Sequence, residues 1–174
     1  MPRPPRAAPG RLVVPSPVLA EVCPLPAITL VRITQLLDRV RPELFHLAAH
    51  VDGEGVCLSA GADLRVERPA AVGEAILAAC TRPTLVVLNF CGSIALGDEL
   101  VGPIPFVIAW PDRFDDEQAR SFTATLYSSL RYSTIRSSHE EALRELTSPD
   151  LAEPQLLGAN QRDTQLFRTS DHGL

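Results

Sequence analysis

Apolar residues recur along this chain with two different periods, and the change from one to the other outlines its elements. In AITLVRITQLLDRVR, residues 27–41, Ile33, Leu36, Leu37 and Val40 fall at i, i+3, i+4 and i+7, the spacing of one helix face. Pro42 ends that helix, because the residue before a proline is pushed out of the helical region. ELFHLAAH, residues 43–50, is apolar without helical spacing and reads as a buried strand. Asp52-Gly53-Glu54-Gly55 is a turn cluster, and VCLSAGADLRV, residues 56–66, reads as a small hairpin with Gly61 in its turn. Pro69 opens a helix that runs to about Cys80, at a position where a missing N–H costs nothing.

The second half continues the alternation. TLVVLNF, residues 84–90, is the clearest strand of the chain. A short helix or loop covers residues 94–101, and IPFVIAW, residues 104–110, is a further buried strand. Asp115, Asp116 and Glu117 place acidic groups in the first turn of a helix whose face carries Ala119, Phe122, Leu126 and Leu130. Another helix is expected from Ser137 to Leu146, with Glu140 and Arg144 at i and i+4. Strands alternating with helices predict an α/β domain with a mainly parallel sheet. Sites in such sheets collect at the carboxyl ends of the strands.

The two ends of the chain read differently. Residues 1–17 are rich in Pro and Arg and predict an extended or flexible arm, followed by a possible first strand, VLAEVC, at 18–23. The domain is expected over 18–147. From 148 to 174 the chain is polar and aperiodic and predicts a flexible tail.

Composition narrows the function. The 174 residues are 45% apolar, which suits one domain with a real core. Net charge is −5 with no basic block, so neither nucleic acid nor an acidic membrane is indicated as a partner. There is no apolar leader-like segment and no run of about 20 apolar residues. A cytoplasmic protein with free thiols is expected. The four cysteines, Cys23, Cys57, Cys80 and Cys91, form no C-x-x-C pair and none stands near a histidine at zinc spacing, so no metal is indicated. No glycine-rich phosphate loop follows an early strand, which weakens a flavodoxin-like binding domain, and no cofactor is implied.

Two residues end two of the expected strands. His50 closes ELFHLAAH, and Cys91 follows TLVVLNF. If those strands are parallel neighbours, both side chains emerge at one edge of the sheet. An imidazole within reach of a thiol can take its proton and create a nucleophile for acyl transfer. Backbone N–H groups in the turns after the strands could stabilise the resulting oxyanion. A buried cysteine that only fills space fits the same pattern.

The segments FHLAAH…DGEG, VVLNFCGS and GPIPFVIAWPDRFDDEQARSFTATLYSSL resemble the CHAT branch of the caspase-like cysteine peptidases. The resemblance runs over about residues 28 to 146 and rests on Asn89, Cys91 and Ser93, on Pro105, Val107, Ile108 and Trp110, and on Ala119, Phe122 and Tyr127. It implies a caspase-haemoglobinase-like fold, a three-layer sandwich with a mainly parallel central sheet. It implies Cys91 as nucleophile and His50 as general base, with Asn89 and Ser93 supporting the site. The oxyanion hole would use the backbone N–H groups of Cys91 and Val51. Valine departs from the glycine expected after the histidine, and Gly53 or Gly55 could supply the turn instead. The function implied is a cytoplasmic endopeptidase acting on protein substrates as the effector of a bacterial conflict or defence system, under a separate sensor or regulatory protein. The alternative is an inactive CHAT-like domain that serves as a protein–protein interaction module.

The remaining candidates have plainer readings. His46 and His50, four apart on a strand, would be about 13 Å apart, too far for one metal, so His46 reads as a packed or hydrogen-bonded residue. His139 and His172 read as solvated, and Cys23, Cys57 and Cys80 as core or loop thiols. Trp110, Phe122 and Tyr127 read as core. Asp52, Asp112 and Asp115 lie on loops near the strand ends, where one could meet a basic substrate side chain, although a solvated carboxylate is the simpler reading.

Overall fold

The structure, a computed structural model, describes residues 28–53, 55–60, 63–146, 152–158 and 162–166. The arm, the strand expected at 18–23 with Cys23, the turn at Gly61, and His172 lie outside the described residues.

Helix α1 spans Leu30–Val40 and buries Ile33, Leu36 and Leu37. Val40 continues the sequence pattern but is 45% exposed, because the helix ends there and turns away. Arg41 closes it in the left-handed region, φ 52 and ψ 53, with its N–H on the Leu37 carbonyl. Strand β1, Leu44–Ala48, is followed by the short strands β2, His50–Asp52, β3, Gly55–Ala60, and β4, Asp63–Glu67. Helix α2, Pro69–Leu77, leads to β5, Leu85–Asn89; then come α3, Ile94–Leu100, and β6, Phe106–Ala109. Helices α4, Asp116–Leu130, and α5, Ile135–Arg144, precede β7, Gln155–Leu157.

The central sheet has the order β1-β5-β6-β7. Strands β1, β5 and β6 are parallel, and β7 is antiparallel to β6. Strands β2, β3 and β4 form a separate antiparallel sheet. The chain is thus mixed α/β with a mostly parallel central sheet.

The central strands are continuous apolar runs because both of their faces are covered. Phe45, Leu47, Val86, Leu88, Val107 and Ala109 share one core with Ile33 and Leu37 of α1, Val72 and Ile76 of α2, and Leu96 and Leu100 of α3. Leu85, Val87, Phe106 and Ile108 point the other way and pack with Phe122, Leu126 and Leu130 of α4 and Ile135 and Ala142 of α5. Each such burial contributes about 1.5–3 kcal/mol. Helices therefore cover both faces of the sheet.

The C-terminal segment is not all tail. Beyond 147, where the sequence reading ends the domain, β7 extends the sheet. Leu166, 6% exposed, enters the α4–α5 core, and the Ile135 N–H donates to the Thr164 carbonyl at 2.9 Å. His139, expected to be solvated, is buried, and its Nε2 lies 3.0 Å from the Pro154 carbonyl. The segment covers a helix face that sequence alone presents as open. Two short apolar pairs, Leu156-Leu157 and Leu166-Phe167, form no period that would reveal it.

Candidate functional site

The parallel register of β1 on β5 pairs Leu44 with Leu85 and ends with Ala48 opposite Asn89. Neighbouring strands lie about 4.8 Å apart. His50 and Cys91 are each two residues beyond that last pair, at the carboxyl edge of the sheet. The Ala49 N–H makes a final 3.4 Å link to the Asn89 carbonyl. His50 is not the terminal residue of a central strand, as the sequence reading has it. Strand β1 stops at Ala48, and His50 opens β2, where its cross-strand partner is Cys57. The mainly apolar run from Leu44 to Ala49, with His46 inside it, hides this change of sheet, which occurs without a glycine or proline break.

His50 is exposed and Cys91 is half-buried, so the thiol is not sealed in hydrocarbon. Neither side chain makes a hydrogen bond among the described residues. The Cys91 N–H likewise meets no acceptor among them.

The turn that carries Cys91 is pinned from both sides. Gly92 is left-handed, φ 67, and donates its N–H to the Asp112 carbonyl at 3.4 Å. A side chain here would meet open space, so only backbone strain disfavours one. Ser93 is fully buried. Its Oγ donates to the Leu88 carbonyl at 3.0 Å and accepts from the Trp110 N–H at 2.9 Å. One hydroxyl therefore joins the carboxyl ends of β5 and β6, while the Ile94 N–H reaches the Trp110 carbonyl at 3.1 Å.

Val51 lies in β2 opposite Val56 and is 38% exposed. The left-handed position of this hairpin is Gly53, φ 62, not residue 51. A β-branched residue suits an extended position, so valine is unstrained there. Asn89 is half-buried, and its Oδ1 is buried with no hydrogen-bond partner among the described residues.

Other candidates take structural places. His46 faces α4, where its Nδ1 lies 2.7 Å from the Tyr127 hydroxyl and the rings meet edge-on. Burial lowers its pKa from 6.5 to about 4 and pushes the Tyr127 phenol up. Trp110 is core, 4.1 Å from the Phe114 ring and 5.9 Å from that of Phe122. Asp115 is the N-cap of α4, accepting the Gln118 N–H at 2.7 Å, while Asp52 and Asp112 are exposed. A groove of about 480 Å³ on α4 and α5, lined by residues such as Thr125, Ser129, Tyr132 and Glu141, contains no residue from these strand ends. Among the described residues no three His, Cys, Asp or Glu side chains gather to hold a metal, and no helix is long and apolar enough to cross a membrane.

The sequence reading missed the pairing of His50 with Cys57. The signal was present: a hairpin that pairs Asp52 with Gly55 sets residues 50 and 57 opposite one another. No protein-family model matches the chain, and no curated protein matches it.

Proposed function

We propose that this chain is a cytoplasmic cysteine endopeptidase of CHAT type with a caspase-haemoglobinase-like fold. The observation that carries the reading is the register of β1 on β5, which leaves His50 and Cys91 equally far beyond the last matched pair. His50 takes the thiol proton, and the Cys91 thiolate attacks the scissile carbonyl. The N–H groups of Cys91 and Val51 receive the oxyanion; the N–H of Cys91 has no competing acceptor among the described residues. The imidazolium then protonates the leaving amine, and water hydrolyses the thioester. Asn89 and Ser93 support the site, Ser93 through the bonds that fix the turn. The substrate is a protein, and a separate sensor or regulatory protein controls the domain as part of a bacterial defence system.

The missing hydrogen bond at His50 favours a second reading, an inactive interaction module of the same fold. Catalytic hydrogen bonds often form only in the substrate complex, so the geometry of the free protein leaves the first reading in place. A peptidyl acyloxymethyl ketone separates the two. For the peptidase, labelling concentrates on Cys91 and is lost in His50→Ala. Slow, equal labelling of all the cysteines, even with a neighbour-encoded partner protein added, would instead identify the module.

A further inference from the structure

The small sheet gives His50 a second thiol. Residues directly opposite in an antiparallel pair share one face, with Cβ atoms about 4.5–5.5 Å apart. His50 stands opposite Cys57, and Cys57 stands opposite Val66 on its other side, so the three form one row across β2, β3 and β4. The alternate residues of β3, Val56 and Leu58, are buried in the core, which leaves the Cys57 row on the outer face. His50 is exposed, Val66 is 53% exposed, and Cys57 is a half-buried free thiol. Asp52 is an exposed carboxylate two residues along the same face. No hydrogen bond joins Cys57 to His50 in this conformation; the register sets them directly opposite on neighbouring strands.

We infer that the cross-strand pair Cys57–His50 is a site of thiol modification by low-molecular-weight disulfides. The imidazole takes the proton from Cys57. The thiolate attacks one sulfur of the disulfide, its S–S bond breaks, and the second sulfur leaves as a thiolate that takes the proton back from His50. One mixed disulfide forms and one small thiol is released, with no net change in oxidation state. The adduct stands on the same face as the imidazole and covers it. Resting on the proposed dyad, it also withdraws His50 from Cys91, so modification of Cys57 turns the peptidase off.

The test uses the full chain and bis(2-hydroxyethyl) disulfide, with adducts located by peptide mapping. In a Cys91→Ser background the chemistry at Cys57 is read independently of the dyad. Cys80, an exposed thiol, is the internal reference. The expected result is that Cys57 reacts at least about tenfold faster than Cys80 and falls to the rate of Cys80 in His50→Gln. Equal or slower reaction of Cys57, or a rate unchanged by His50→Gln, would overturn the inference. In the protein with Cys91 intact, molecules mapped as carrying the adduct at Cys57 alone, with Cys91 still a free thiol, should no longer label at Cys91 with the acyloxymethyl ketone, whereas untreated protein labels there. If Cys57 is selectively modified while Cys91 never labels, the inference about Cys57 stands and the dyad reading fails.

Discussion

A single hydroxyl holds the turn beneath the candidate nucleophile. Ser93→Ala leaves the buried Trp110 N–H and the Leu88 carbonyl each without their partner. We expect a loss of about 1–3 kcal/mol in urea unfolding. Gly92→Ala should cost about 1–2 kcal/mol, through backbone strain alone. A loss within error for Ser93→Ala would mean that the bridge between the strand ends is not a stabilising contact. The buried histidines set the response to acid. His46 is held neutral to about 4, against 6.5 unfolded, and burial lowers His139 in the same direction. The unfolded chain therefore binds protons first. Stability from His46 is complete above about 6.5 and is lost as pH falls toward about 4, on the order of 3 kcal/mol in all. His46→Gln should flatten part of this slope when urea midpoints are compared at neutral and acidic pH; an unchanged slope would show that His46 is not buried as a neutral ring. Sequence disclosed the residue types of the candidate site but not the neighbours of each. Ser93 stands in the sequence as a residue supporting the site, yet its bond to Trp110 joins residues 17 apart, and no local pattern carries that information.

Among the elements, those with long, strong periods were legible and those defined by partners were not. The pattern of Ile33, Leu36 and Leu37 gave α1, the run from Leu85 gave β5, and the acidic turn gave the start of α4. The break after Ala48 escaped detection because both sides of it are apolar, and only the pairing of β2 with β3 defines it. Element ends offer two clean tests. Arg41 is the non-glycine residue with positive φ among the described residues, so Arg41→Gly should raise stability by about 1 kcal/mol, seen as a higher unfolding midpoint. Asp115→Ala removes the α4 cap and should lower it by about 1 kcal/mol. Strand β7 and Leu166 show the opposite failing of sequence reading, where a three-residue strand and a leucine within a short apolar pair are too short to form a pattern.

For the whole molecule, alternating strands and helices were enough to give an α/β domain with a mostly parallel sheet. The same alternation suits many unrelated activities, so function must be argued from the site. That argument depends on two side chains separated by about forty positions in sequence and brought to neighbouring strand ends by the crossover from β1 to β5. The most direct test is a bifunctional reagent. 1,3-Dibromoacetone alkylates a thiol and then a nearby imidazole, so in Cys57→Ser it should join His50 to Cys91 in one cross-linked peptide on mass spectrometry. Cys91 carrying only a single, unbridged adduct, or bridged to any residue other than His50, would contradict the account.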